Sequence, residues 1–325
     1  MTIDAPFLTD DFYSLTPDKV LDAVESYGYR CTGRCLALNS LENRVYEIEV
    51  EGDTRFLVAK FYRPLRWTKE QIQEEHDFLH ELAAEDLPVV APMKQHDGAT
   101  LYVSSVIGCY GALFPKRSGR MEPESSPEDL ERIGRTLARV HQVGGRKPFV
   151  HRQQMSPAWY LEYHRASVDQ FLPGYLRQRY QSCIDRLHHA WSQLPSFPAI
   201  RLHGDCHRGN ILWREEEGPL LVDFDDAIMG PVIQDVWLLF HGRIADYKEE
   251  FASFLKGYEM FAEFDDRQLQ AVELIRAFRM MQYAGWIAKR WDDPSFKRAF
   301  PQFLEEGYWE SHICDVEDQC TLLSC

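Results

Sequence analysis

The sequence predicts an α+β protein of two lobes, with an antiparallel sheet and a helix in the N-terminal lobe and a mainly helical C-terminal lobe. The chain has 325 residues, enough for two domains or lobes, and its apolar share of 45% is sufficient for a sizeable core. Alternating apolar patterns in the first third predict strands, whereas apolar residues at helical spacing dominate after residue 127.

Composition narrows the functional classes. The net charge of −15 argues against a general nucleic-acid binder and against docking on an anionic membrane. The 8 cysteines are scattered, which is typical of reduced cytoplasmic thiols rather than of a disulfide framework. The sequence shows no signal-peptide pattern and no apolar run of membrane-spanning length. We therefore expect a cytoplasmic monomer without nucleic-acid or membrane partners.

The first elements are a helix and a β-hairpin. Thr16 is predicted to cap a helix that ends at 27–29, because proline follows at the first helical position. The segments 45–50 and 55–62 read as two strands joined by a turn.

A lysine at the end of the second strand has a predicted partner. Thr68 can cap a helix that runs to about Glu85, and Glu75 falls in the middle of its apolar face, whereas Glu74 lies at the margin. A carboxylate in an apolar face is costly unless it is paired. The sequence therefore predicts an ion pair between Glu75 and Lys60.

The lobe boundary is predicted after two further strands, at 100–106 and 110–114, where a Ser/Gly/Pro-rich stretch begins. We expect an N-terminal lobe at 1–115 and a C-terminal lobe at 116–325. The second lobe is predicted to contain helices from Pro127, in 155–194 and over 274–291. The last of these is typical of a core helix, although its exposed side chains could border an acceptor site; they are Arg276, Arg279, Tyr283 and Trp286.

The chemistry is concentrated between these helices. Short strands at 199–202 and 211–213 flank a polar loop that carries Asp205 and Asn210, and a second buried run ends at Asp223. Carboxylate and amide oxygens are hard ligands that suit Mg²⁺. In phosphoryl transfer one aspartate orients the attacking hydroxyl, while an asparagine and a second aspartate hold the metal.

The same arrangement assigns roles to single residues. Asp205 is the candidate to accept or orient the hydroxyl proton, in a tight turn that Gly204 permits. Asn210 and Asp223 are the candidate magnesium ligands. For Asp225 two interpretations stay open, coordination of a second metal or orientation of Asp223.

These motifs carry a resemblance to a known family. The pattern His203-Gly-Asp-x-x-x-x-Asn210 with Val-Asp223-Phe-Asp resembles the catalytic and metal loops of the aminoglycoside phosphotransferase and choline kinase superfamily, distant relatives of the protein kinases. With Asn39-Ser-x-Glu-Asn43, the chain is similar over nearly its whole length to the bacterial stress response kinase A (RdoA-type) proteins. The resemblance implies a two-lobed, protein-kinase-like fold with a catalytic β-hairpin in the C-terminal lobe.

The resemblance also implies function. It implies ATP and Mg²⁺ as cofactors and a serine/threonine protein as acceptor in a stress response. Ser40 would contact ATP where other kinases have a glycine-rich turn, Lys60 would pair with the phosphates and with Glu75, and Asp235 would brace the catalytic loop. The short interval 226–234 leaves no room for a phosphorylatable activation loop.

Three alternatives accompany this interpretation. The same chemistry serves small-molecule kinases for alcohols such as aminoglycosides, choline or homoserine, and the acidic composition would suit a cationic acceptor. A zinc module could use His203, Cys206 and His207, but further ligands are lacking in the sequence. A non-catalytic nucleotide-binding module would have lost the catalytic side chains, which are all present.

Overall fold

The structure, a computed structural model, describes residues 12–13, 15–52, 55–104, 107–121, 125–214, 217–240 and 242–324. The chain forms two compact units. The first is Met1–Arg132 with Arg208–Asp225, and the second is Ile133–His207 with Asp226–Cys325. Parts of the predicted turn after residue 50 and of the strand predicted at 100–106 lie outside the described residues.

The first unit is built on a five-stranded antiparallel sheet in the order β1-β2-β3-β5-β4. Its strands are β1 (Cys31–Ala37), β2 (Arg44–Val50), β3 (Phe56–Phe61), β4 (Tyr102–Ser104) and β5 (Cys109–Pro115). Helix α1 (Pro17–Ser26) packs on this sheet and begins as predicted, with the Thr16 side chain accepting a hydrogen bond from the Lys19 amide at 3.4 Å. The apolar core includes Val20, Val24, Ile48, Leu57 and Leu113.

Strand β1 has no counterpart in the sequence prediction. It pairs antiparallel with β2, and Leu36 lies opposite Glu47. Most β1 side chains are exposed, so the strand lacks the alternation between apolar and polar residues by which a half-buried strand is recognised. Its backbone pairing places the loop at 38–43 between two strands.

Helix α2 (Lys69–Ala84) confirms the prediction of a helix capped by Thr68. The Thr68 hydroxyl accepts from the Gln71 amide at 3.3 Å, and the Gln71 side chain accepts from the Thr68 amide at 2.9 Å. Glu75 is buried in the same face as Ile72 and Phe78. The apolar side chains on that face fix the rotation of the helix and hence the position of the carboxylate.

The hairpin of β7 (Ile211–Arg214) and β8 (Gly218–Leu221) belongs to the first unit by its contacts. Arg120 pairs with Trp213 of the hairpin through backbone hydrogen bonds of 3.0 and 2.8 Å. Because the chain after residue 115 pairs with this hairpin, the lobe boundary expected at 115/116 falls inside the first unit.

The second unit is mainly helical. Its helices are the part of α3 (Pro127–Gly144) from Ile133 onward, α4 (Tyr163–Val168), α5 (Arg177–Gln193), α6 (Ile233–Trp237), α7 (Lys248–Tyr258), α8 (Val272–Lys289), α9 (Pro294–Ala299) and α10 (Glu306–Thr321). Helix α8 contributes Ile275, Phe278 and Met281 to the core of this unit. Throughout the described ranges, every helix falls short of the length and apolarity that crossing a bilayer requires.

A two-stranded sheet supports the polar loop of the second unit. Strands β6 (Ile200–Leu202) and β9 (Ile228–Gly230) pair antiparallel, and the turn after β6 contains Gly204 with a φ of +86°. A Cβ atom on Gly204 would lie 2.0 Å from the carbonyl oxygen of Asp226. Glycine is therefore required here by both backbone conformation and space.

We predict that Gly204→Ala destabilises the protein more than Gly28→Ala does. Gly28 also has a positive φ, +95°, but no atom lies within 4 Å of a Cβ placed there. Gly28→Ala should cost about 1–2 kcal/mol from backbone strain, and Gly204→Ala a further ~1–3 kcal/mol from the clash. Urea unfolding of both variants measures the difference, and equal losses would contradict the steric explanation.

Candidate functional site

The first unit contains a buried cluster of charges around Lys60, at the end of β3. The Lys60 ammonium lies 3.3 Å from Glu75 Oε1, 3.0 Å from Asp225 Oδ1 and 3.6 Å from Asp223 Oδ1. Lys60 and Glu75 are both buried. The predicted ion pair between the strand lysine and the helix glutamate is therefore present, and two carboxylates from the β8 end join it.

The carboxylates determine the charge state of Lys60. Burial alone would lower the pKa of its ammonium group, but Asp225, Glu75 and Asp223 outweigh burial and hold the pKa well above its ordinary value. Lys60 is therefore a permanent cation at physiological pH. Such a fixed positive charge suits phosphate oxygens.

A second cation, Arg66, contacts the other oxygen of Asp225. The Arg66 Nη1 atom lies 2.5 Å from Asp225 Oδ2 and 3.5 Å from Glu42 Oε1. Asp225 is 96% buried as a side chain, with 4% of its surface exposed. Because Lys60 and Arg66 contact its two oxygens, the Asp225 carboxylate fixes the segment that follows β8. Arg66 has no counterpart in the sequence prediction, because a loop arginine carries no periodic signal that indicates its partner.

The loop at 38–43, which contains Ser40, is held by a buried arginine. The Arg63 side chain donates to the carbonyl of Glu42 at 2.8 Å and to that of Leu41 at 2.9 Å. The Arg63 amide donates to Asn43 Oδ1 at 3.1 Å. These bonds fix a loop that has no glycine, and Ser40 is half-buried within it.

The candidate metal ligands lie at the end of the β7–β8 hairpin. The Val222 amide donates to the Asn210 carbonyl at 3.0 Å, so the β7–β8 pairing continues to the residue before Asp223. Asp223 has a φ of +62°, which is uncommon for a residue other than glycine. Its side chain is 56% exposed. Phe224 turns inward and packs edge-on against Phe78 of α2, with centroids 6.0 Å apart.

This donor set fits a magnesium ion. One exposed carboxylate and one amide oxygen supply few protein ligands, and Mg²⁺ is commonly bound in this way together with phosphate oxygens and water. Among the residues that the structure describes, no group of three or more His, Cys, Asp or Glu side chains is arranged to hold a metal ion.

The second unit presents Asp205 beside two basic side chains. Arg279 of α8 donates from Nη2 to Asp205 Oδ1 at 2.7 Å, and His207 Nε2 lies 3.6 Å from Asp205 Oδ2. The Asp205 amide donates to His203 Nδ1 at 3.3 Å. Burial alone would raise the pKa of the Asp205 carboxyl, but Arg279, His207 and His203 outweigh burial and hold that pKa below its ordinary value.

Asp235 fixes the backbone of the turn that carries Asp205. Its Oδ2 accepts from the His203 amide at 2.9 Å and its Oδ1 from the Gly204 amide at 2.8 Å. His141 Nε2 lies 3.2 Å from Asp235 Oδ2. All of these groups are buried. The contacts are those expected of a residue that braces the loop without touching a substrate.

The three side chains of the zinc alternative are not arranged to hold a metal ion. Among the described residues, His203, Cys206 and His207 do not form such a group. The Cys206 thiol is fully buried, and burial, with Asp235 and Asp205 nearby, raises its pKa well above the ordinary value.

The candidate residues divide between the two units. Those in the first unit are Ser40, Lys60, Glu75, Asn210 and Asp223. Asp205 belongs to the second unit. Lys60 contacts both Glu75 and Asp223, and Asn210 and Ser40 lie in loops of the same unit.

The chain is similar to known phosphotransferases in sequence. The model of the "Phosphotransferase enzyme family" matches residues 35–272. Stress response kinase A of Escherichia coli K12 is 38% identical over 318 residues, which cover 96% of this chain and 94% of the relative. Serine/threonine protein kinase RdoA of Salmonella typhimurium LT2 is 38% identical over 316 residues, with the same coverage of 96% and 94%.

Solved structures are similar in fold. Amicoumacin kinase hAmiN, solved in complex with AMP-PNP, Ca²⁺ and Ami, has a TM-score of 0.73 at 19% identity, covering 93% of this chain and 94% of that one. Choline kinase LicA from Streptococcus pneumoniae has a TM-score of 0.63 at 14% identity, with coverage of 94% and 98%. The predicted protein-kinase-like fold is confirmed by these structures.

We predict that Lys60→Met costs about 3–5 kcal/mol of stability, because the buried carboxylates of Glu75 and Asp225 lose the cation that they share. Lys60→Met combined with Asp225→Asn should recover part of this loss. Lys69→Met is the control, because Lys69 is exposed. Its free energy of unfolding should lie within about 0.5 kcal/mol of that of the parent protein. Urea unfolding without nucleotide or metal measures all three.

The raised pKa of Lys60 also predicts how the stability difference between the parent protein and Lys60→Met depends on pH. A raised folded-state pKa gives stabilisation that is complete below the unfolded lysine pKa, about 10.4, and is lost as pH rises through the folded value. The stability difference between parent and Lys60→Met should therefore be constant around neutral pH. A marked decrease between about pH 7 and 9 would contradict the assignment.

Proposed function

The chain belongs to the phosphotransferase enzyme family and, within it, to the stress response kinase A family, and from this membership we propose that it transfers the γ-phosphate of ATP to a serine or threonine hydroxyl of a protein. The enzyme class, a kinase, follows from the family. The observation that carries the proposed use of ATP is the ammonium of Lys60 held by Glu75 and Asp225 beside the exposed Asp223.

The first unit supplies the donor side of the proposed reaction. Lys60, permanently charged, is suited to seat the α- and β-phosphates of ATP. Ser40 would contact the phosphates from the loop that Arg63 holds. Asn210 and Asp223 would hold Mg²⁺, which would supply positive charge against the negative charge that develops on the phosphates.

The second unit supplies the acceptor side. The pKa of the Asp205 carboxyl is held below its ordinary value, chiefly by Arg279, which favours the carboxylate form. An ionised carboxylate can accept a hydrogen bond from the attacking hydroxyl and orient its lone pair towards phosphorus. Asp235 holds the backbone on which this carboxylate is mounted. Most of the catalytic effect is then alignment, as expected for phosphoryl transfer.

The charges at Asp205 favour a protein acceptor over a cationic small molecule. Arg279 and His207 contact the Asp205 carboxylate. An amino alcohol or aminoglycoside brings its own positive charge next to its hydroxyl, and that charge would meet a like charge here. A serine or threonine side chain is neutral and brings no such repulsion. The name of the Salmonella relative, a serine/threonine protein kinase, points in the same direction.

We predict that the purified protein incorporates labelled phosphate from ATP into itself or into a generic protein acceptor such as casein, and only with Mg²⁺ present. Asp205→Ala should lower the rate by about 10²–10⁴-fold, because the hydroxyl loses its orienting base. Asp223→Ala should lower it through loss of the metal, which a Mg²⁺ titration of ADP binding detects separately from activity.

Asp22→Ala provides the control, since Asp22 is an exposed aspartate on α1 in the first unit. It should leave the rate unchanged. A panel that sets casein and serine peptides against choline, homoserine and an aminoglycoside then separates the acceptor classes. If only a small alcohol is labelled, the protein is a small-molecule kinase and the proposed protein acceptor is wrong. Full activity of Asp223→Ala would contradict the proposed metal site.

A further inference from the structure

The Asp205 carboxylate is not positioned by the bonds that fix its backbone. Asp235 holds the amides of His203 and Gly204, and these bonds determine where the main chain of the turn lies. They leave the two side-chain torsions of Asp205 unconstrained. Orienting a hydroxyl requires the carboxylate oxygens themselves to be placed, because small misplacements of a reacting group are costly in rate.

Arg279 constrains the orientation of the Asp205 carboxylate from a different element, helix α8. It lies on α8, whose buried residues include Phe278, next to Arg279 in the chain, so the helix is anchored in the core of the second unit. Its guanidinium donates to Oδ1 of Asp205 at 2.7 Å, a short charge-assisted hydrogen bond. The Arg279 side chain is 37% exposed, so part of it remains open to solvent.

We infer that Arg279 is a positioning residue for phosphoryl transfer: it holds the Asp205 carboxylate by Oδ1 and so fixes its orientation towards the acceptor hydroxyl. The inference rests on the proposed role of Asp205 in the reaction. It adds a residue that acts through Asp205 and that neither the family motifs nor the charge of the loop identify.

A planar guanidinium suits this role better than an ammonium. Its N–H groups point in fixed directions, so one bond restricts both the position and the rotation of the carboxylate. An ammonium on a flexible stem would supply the charge with less directional control. Arg279→Lys should therefore keep the electrostatic effect on Asp205 and lose part of the orientation.

Arg279 also favours the ionised form of the carboxyl. The charged and titratable groups that face Asp205 are Arg279 from α8 and His203 and His207 from its own loop, with the Cys206 thiol beside it. Because together they lower the pKa of Asp205, its active form persists to lower pH than for an ordinary aspartate. Removing Arg279 raises this pKa, and the acidic limb of the rate profile should move to higher pH.

The test compares three variants by steady-state transfer of labelled phosphate from ATP to casein across pH. Arg279→Gln should lower kcat by about 10–10²-fold, leave KM for ATP unchanged and shift the acidic limb upward. Arg279→Lys should restore the position of the acidic limb and only part of kcat. In an Asp205→Asn background, Arg279→Gln should have no further effect, because the two residues act as one unit.

Arg179→Gln is the matched control. Arg179 forms an ion pair with Glu317 at 2.6 Å and is 40% exposed, close to Arg279 in both respects, but its partner lies on α10. It should leave kcat and the acidic limb unchanged. If Arg279→Gln lowers only the unfolding temperature, or lowers kcat without moving the limb, the contact is structural and the inference is wrong.

The measurements distinguish a failure of the proposed function from a failure of the role inferred for Arg279. If the parent protein transfers no phosphate to any acceptor, or if Asp205→Asn retains full activity, the proposed function and this inference fall together. If the parent is active and Asp205→Asn is not, while Arg279→Gln behaves like the parent, only the inference falls. Thermal unfolding of every variant verifies that the compared proteins are folded.

Discussion

The first unit depends on a buried carboxylate, that of Asp225, held between two cations. Removing a carboxylate from water costs several kcal/mol, and the cost is offset only when opposite charges and good geometry accompany burial. Lys60 and Arg66 contact its two separate oxygens, and Glu75 shares Lys60. With Phe224 packed against α2, these contacts leave the chain little freedom after β8. Asp223 is therefore exposed to solvent on a backbone that is rigidly placed, which is what a metal ligand requires.

The second unit repeats this arrangement with different residues. A fully buried carboxylate, Asp235, holds the turn by its amides, and the less buried Asp205 extends from that turn. In each unit a buried aspartate, Asp225 or Asp235, binds neighbouring groups with both oxygens. It thereby holds the backbone that carries a more exposed aspartate, Asp223 or Asp205. The accessible aspartates differ in their partners, since Asp223 has Lys60 near one oxygen and Asp205 has Arg279. Under the proposed function, stability and reactivity are thus assigned to separate carboxylates.

The sequence predicts the parts of this site that follow from local pattern. Glu75 could be identified because a carboxylate in an apolar helical face needs a partner, and Lys60 ends the neighbouring strand. Asp235 and Asn210 could be placed only through motifs. The partners of Arg66 and Arg279 depend on contacts between segments far apart in the chain, and a single sequence does not reveal such pairings. Strand β1 was not predicted for a different reason: its backbone pairs with β2, but its mostly exposed side chains show no apolar periodicity.

The loop at 38–43, which we propose to contact the phosphates of ATP, contains no glycine. A trans peptide unit is planar, and its C=O and N–H groups point in opposite directions. Arg63 binds the carbonyls of Leu41 and Glu42 from one side, so the amides of the residues that follow them, Glu42 and Asn43, are turned to the other side. A glycine-rich loop presents amides to phosphate because glycine permits the necessary backbone path. Here one buried guanidinium imposes the orientation on ordinary residues, and the side chain of Ser40 is available in addition to the backbone.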